Sequence, residues 1–191
     1  MRRRTLLTLG GTTLSLSVTG CLDALGSDAP GPEPLPDAPD IDCSEASRPE
    51  PGPQDGEDLV QPVAYPGQPS ESLGDESAIE YAARFEKAYR TNEQITEAAN
   101  LHRISVAVVD TWTFDSPDGA AVVRLRTYYG GAEAIDENEP PSVHFDNWGV
   151  MVTYYIDPAL VVRTDAPRNN VDLDELDPDP WDSGEPVACF A

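Results

Sequence analysis

The chain has 191 residues, a length that suits one domain, and its hydrophobic fraction of 39% is low for a packed protein. Asp and Glu number 35 against 12 Lys and Arg, for a net charge of −23. Self-repulsion on that scale weakens a compact state at low salt. It also excludes nucleic acid as a partner, because phosphate binding needs a basic surface.

The first twenty residues divide into three parts. Arg2, Arg3 and Arg4 form a positive start, and residues 5–18 form a mildly apolar stretch. That stretch is too short for a bilayer core, which takes about 20 residues. Val18, Thr19 and Gly20 then set small residues before Cys21. This ending resembles a lipobox, whose cysteine is acylated and whose chain is cut just before it. The arginines followed by Thr5, Leu6 and Leu7 resemble a twin-arginine export signal, although no Phe follows the arginine pair. The resemblance implies a signal peptide over residues 1–20, lipidation of Cys21 and a place on the external face of the cytoplasmic membrane. One acyl chain holds only marginally, so stable attachment implies two chains or one long diether lipid. Cleavage removes three arginines and no acid, which leaves a charge of −26.

Lys87 is the only lysine. Dense carboxylate with so little lysine resembles the proteins of extremely halophilic archaea, where molar salt screens repulsion within a few ångströms.

Three cysteines are an odd number for an exported chain. Lipid on Cys21 leaves Cys43 and Cys189, for which a disulfide is permitted outside the membrane. Two free thiols are the alternative. Closing so long a loop would contribute roughly 5 kcal/mol. No C-x-x-C occurs and His102 and His144 stand alone, so neither a metal nor another cofactor is expected.

Residues 21–69 read as a linker. Eleven prolines fall between positions 22 and 69, mixed with Asp, Glu, Gly and Ser, a composition that favours a disordered, extended stalk. If Cys43 is tied to the domain, the free part is residues 22–42, with a reach of at most about 65 Å.

A helix is expected over residues 75–92, with residues 93–99 either extending it or turning away. Gly74 can cap it, Asp75 and Glu76 suit the positive end of its dipole, and Ala78, Ile79, Ala82, Phe85 and Tyr89 form one apolar stripe. The period then changes. Over residues 103–115 the alternation puts Ile104, Val106, Val108, Trp112 and Phe114 on one face of a strand. Ser116-Pro117-Asp118-Gly119 reads as a type I turn into a second strand, residues 121–129. An acidic loop follows to residue 141. A third strand covers residues 143–157, interrupted by a bulge near Asn147 and Gly149, and a fourth covers residues 159–164. Residues 166–191 read as an acidic tail without period, docked by the disulfide if that forms.

The expected architecture is therefore α+β over residues 70–165, one helix packed on a curved, four-stranded antiparallel meander. This order resembles cystatin-like and NTF2-like folds. The stretch SAIEYAARFEKAYRTN, with YYI and VVRTD after the strands, resembles a group of haloarchaeal lipoproteins without assigned function. That resemblance supplies no catalytic residues to carry over.

Candidate chemistry is sparse. His144 and Asp146 share a strand face, which permits an acid–base pair. A hydrogen-bonded surface histidine is the blander reading. Arg124, Arg126 and Arg163 suit either an anion- or partner-recognising patch or local pairing with the abundant carboxylates, and pairing is favoured. Trp112 and Trp148, with several tyrosines, could line a cleft or serve as core and rim. The acids between Asp172 and Asp182 lack a calcium-loop pattern and read as a solvated tail. Together these features suggest a non-enzymatic, membrane-attached binding module with an envelope protein as partner. The competing expectation is a small-molecule binder or enzyme with a pocket between helix and sheet.

Overall fold

The computed structural model describes residues 37–98, 100–135 and 140–190, without the side chains of Asn147 and Trp148. Arg2, Arg3, Arg4 and Cys21 lie outside the described residues. A single long helix, α1 (Asp75–Glu97), precedes the strands β1 (Leu101–Phe114), β2 (Ala121–Glu133), β3 (Val143–Ile156) and β4 (Leu160–Pro167). A one-turn helix α2 (Pro180–Ser183) then leads into a fifth strand, β5 (Glu185–Cys189). The sheet is an antiparallel meander in the order β1-β2-β3-β4-β5. The α+β class is as expected, but the sheet has five strands where four were expected. The extra strand comes from the tail, where Pro186 and only five residues hid the alternation.

The helix begins as its sequence implies, with Gly74 as the N-cap and two acids in the first turn. It runs on to Glu97, because Gln94 and Ile95 still find buried positions beyond the stripe. Ala78, Ala82 and Phe85 pack with Val123, Leu125, Val152, Tyr154, Ile156 and Val161 into the main core. The opposite face of the sheet carries a second, smaller core of Val122, Tyr155, Leu160 and Val162, covered by Ala38, Ile41 and Leu176. Both faces of the sheet are therefore packed over part of their area.

Two irregularities decide which side chains meet. In β1 the pairing runs Val108 with Thr127, then Asp110 with Arg126, so Val109 is an extra residue. Paired residues share a face. The bulge therefore leaves Ile104, Val106 and Val108 beneath the helix and turns Trp112 and Phe114 to the far face. The expected single-faced strand is corrected on this point. In β3 the shift falls beside Asn147 and Gly149, as expected, and Gly149 takes φ +114°. The β1–β2 turn is displaced by one residue from the expectation. Ala120 N–H donates to Pro117 O, which places Gly119 at the third position with φ +85°, as a type II turn requires.

The proline-rich segment is not a disordered stalk over its described part. Its backbone is irregular but pinned to the domain. Asn92 bonds both the N–H and the C=O of Val63, at 2.8 and 2.9 Å, in the manner of a strand neighbour. Val60 N–H donates to Leu101 O, and Ser47 N–H donates to Pro186 O. The Tyr65 hydroxyl donates to Pro49 O. Composition argued against folding because the segment has little apolar surface of its own. It is ordered by polar groups that the helix and strand ends offer it, together with Ala38, Ile41 and Tyr65, which pack on the two cores. Cys43 and Cys189 are joined by a disulfide, which ties this segment to β5 across 146 positions.

Candidate functional site

Three places on the molecule concentrate polar chemistry. The first lies between α1 and the sheet, where a pocket would sit if the fold enclosed one. Glu86 is fully buried there, one helical turn before Arg90. Its Oε1 accepts from Arg90 Nε at 2.9 Å, and its Oε2 accepts from Arg163 Nε at 3.0 Å and from the Tyr154 hydroxyl at 2.7 Å. Asp165 accepts from both arginines at 2.8 Å, and Arg90 also reaches Glu93 at 2.7 Å. The Arg163 guanidinium lies 4.0 Å from the centre of the Tyr89 ring.

Burial alone would push the Glu86 pKa upward. The charges of Arg163 and Arg90, with the hydrogen bonds from Arg163 and Tyr154, outweigh it, and the carboxyl is held below its usual range. Asp165 shows the same balance and the same net direction. Burial, reinforced by the Glu86 charge, pushes the Tyr154 phenol well above 10. The donors and acceptors satisfy one another, so this interior is a closed charge network.

The second place is on the far face. Arg124 is fully buried, its guanidinium 4.9 Å from the ring centres of Trp112 and of Phe114. The acidic segment after β4 folds over it. Arg124 donates to the carbonyl oxygens of Glu175 at 2.8 Å, Leu173 at 3.0 Å, Asp177 at 3.1 Å and Asp172 at 3.3 Å. Burial lowers the Arg124 pKa, while the carboxylates of Asp177 and Asp172 oppose that shift. The guanidinium fills a ring of main-chain oxygens in the way a bound cation would. The expected solvated tail is therefore corrected. Asp172 and Asp177 order the segment themselves by accepting from Asp174 N–H at 2.9 Å and Asp172 N–H at 2.7 Å.

The third place is the open end of the same face. Arg103, Ala132 and His144 form one row across β1, β2 and β3, and Ser105, Gly130 and Asp146 form the next. Gly130 leaves the centre of this trough without a side chain, and the Asp146 carboxylate lies across it where a Cβ would clash. The trough holds about 480 Å³ and ends at Tyr128. A smaller hollow of about 360 Å³ lies at the end of α1, lined by Gln94, Glu97, Tyr129, Glu133 and Phe145.

The structure thus separates the residues singled out in the sequence. Arg163 belongs to the interior network, and Arg124 and Trp112 to the far-face cage. Arg126 pairs with Asp110. His144 and Asp146 share the open trough but make no hydrogen bond to each other among the described residues. The side chain of Trp148 is outside the described set. Local pairing is thus the fate of Arg126 and Arg163, whereas Arg124 is held by carbonyl groups. Of the tryptophans, tyrosines and His144 expected to line a pocket between helix and sheet, Trp112 and His144 face away from α1, whereas Tyr129 lines the hollow at its end. Glu86 and Arg90 were missed, and their spacing of four was the available signal; Tyr154, one of the tyrosines weighed as cleft or core, proves to be core. Compared with known proteins, the chain matches no family description, no curated sequence and no solved structure.

Proposed function

We propose that this chain is a lipid-anchored, non-enzymatic binding module of the cell envelope, of cystatin-like class, that presents the open end of its far face. The observation that carries the reading is the contrast between the two faces. The helix side is closed by its own charges, while the far side leaves Arg103, Ser105, His144 and Asp146 turned to solvent.

Attachment through Cys21 draws on the lipobox-like ending and on the cysteine arithmetic. The disulfide takes Cys43 and Cys189, and Cys21 is the remaining thiol. The twin-arginine-like start supports export, and the acid-rich, lysine-poor composition supports a high-salt medium. The chain is seated on the domain from Asp37, whose carbonyl accepts from Trp181 Nε1 at 3.1 Å.

Intact mass of membrane-extracted protein tests the anchor. The expected species begins at an acylated Cys21, and a chain still starting at Met1 would refute it. Crosslinking in intact cells tests the module. Attached envelope material is expected, and recovery of the chain alone at saturating crosslinker would count against a binding role. The alternative reading, an NTF2-like small-molecule binder or enzyme, draws on the hollow at the end of α1. Its acids Glu97 and Glu133 favour a cationic ligand there.

A further inference from the structure

The open trough of the far face has a composition that its acidic surroundings do not explain. With 35 acids against 12 basic residues, a surface arginine has carboxylates within easy reach. Of the arginines that reach the surface, Arg48 and Arg126 have each taken one, and Arg84 and Arg168 form no ion pair among the described residues. Arg103 has none either, among the described residues. It is exposed at one wall of the trough, with exposed His144 in the same row at the other. Two strand spacings, about 10 Å, separate their backbones, so both side chains can converge on one group lying over β2. Asp146 and Ser105 stand one row further along, and Tyr128 closes that end.

We infer that this trough binds an acidic saccharide, a sugar ring bearing a carboxylate, presented at a chain end or within a glycan. The inference rests on the binding-module reading above and names its ligand. Arg103 takes the carboxylate as a charge-assisted pair, with His144 as a second donor. Asp146 accepts from ring hydroxyls, and Ser105 donates or accepts beside it. The Tyr128 ring offers an apolar face to the sugar's C–H groups. Gly130 carries no side chain, which lets the Asp146 carboxylate lie over β2 between the two walls. A bare phosphate suits the trough less well, because Asp146 repels its higher charge density and it offers no ring C–H face to Tyr128. An apolar ligand finds only Ala107 and the Tyr128 ring to cover it.

The test is titration calorimetry on the purified full-length protein with three probes: a trigalacturonate, its neutral trigalactose counterpart and inorganic phosphate. Trigalacturonate should bind saturably, and trigalactose at least about tenfold more weakly. Arg103→Gln should weaken trigalacturonate about ten- to a hundredfold, the range for losing one charged hydrogen-bonding pair. Asp146→Asn should weaken both sugars. Both side chains are exposed, so an unchanged thermal midpoint is expected to show that each variant is folded. Equal affinity for phosphate and trigalacturonate would reduce the trough to a simple anion site and overturn the inference. Unchanged affinity in Arg103→Gln, or no saturable binding of trigalacturonate, would also overturn it. Those failures leave the crosslinking result standing, whereas loss of crosslinking with sugar binding intact would fault the envelope role instead.

Discussion

Arg124 and Glu86 are the two side chains on which the layers of this molecule close. Arg124 donates to carbonyl oxygens of four different residues, so its loss leaves several partly buried acceptors unpaired at once. Arg124→Met keeps much of the volume but removes every donor, and should cost about 3–5 kcal/mol in denaturant unfolding. Proteolysis of this variant should begin between residues 172 and 177, where the carbonyl ring comes apart. Arg124→Lys should rescue little, because a lysine offers a point charge where the ring is arranged around a planar fork.

Glu86→Gln should be comparably harmful, leaving Arg90 and Arg163 facing each other across a neutral amide. The pH dependence follows the same cluster. Glu86 and Asp165 have folded-state pKa values below their ordinary ones, so their contribution is complete above the usual carboxylate range. It is lost as pH falls through the depressed folded values. Urea midpoints should therefore fall steeply only in strong acid, and less steeply in Glu86→Gln. At the alkaline end, burial raises Tyr65 and Tyr81 to about 12. Their contribution is present below pH 10 and is lost as pH rises towards 12, which ultraviolet titration of tyrosinate would follow.

The extra residue in β1 shows why part of this fold escaped a reading of period. Strict alternation puts Val108, Trp112 and Phe114 on one face, and nothing in the residue types between them marks Val109 as surplus. The bulge is visible only in the pairing with β2. Deleting Val109 should restore the alternation and turn Trp112 and Phe114 under the helix, away from Arg124. The expected result is a protein that loses cooperative unfolding, followed by near-ultraviolet circular dichroism. Near-native tryptophan signals would show that the bulge is dispensable.

The tail escaped for a different reason. Its order comes from main-chain oxygens around one guanidinium, and main-chain acceptors leave no trace in residue type. By contrast, the helix stripe, the β3 bulge and the pairing of Cys43 with Cys189 were legible, because each depends on side-chain pattern or count. At the open trough, His144 and Asp146 could be placed on one face from spacing alone. Arg103 joins them only through the register of β1.

At the scale of the whole molecule, charge and the disulfide act against each other. A chain of net charge −23 is strained by its own field at low salt, and the strain relaxes as the Debye length shrinks to about 3 Å near 1 M. The pairs of Glu86 with Arg90 and Arg163 are screened less, because both partners are buried. Stability should therefore rise with salt until surface repulsion is screened, without the closed Glu86 network being lost. The link between Cys43 and Cys189 constrains a loop of nearly the whole described chain, and in the chain-entropy model its reduction costs roughly 5 kcal/mol. That is comparable to the total stability of many domains of this size, about 5–15 kcal/mol. Reduction at low salt removes both supports. The reduced protein should then be largely unfolded in dilute buffer and recover cooperative folding at molar salt. The oxidised protein should stay folded in both, as read by circular dichroism across a salt series with and without reductant. A reduced protein as stable as the oxidised one in dilute buffer would mean that the docked segments, 43–69 and 172–189, hold by packing alone.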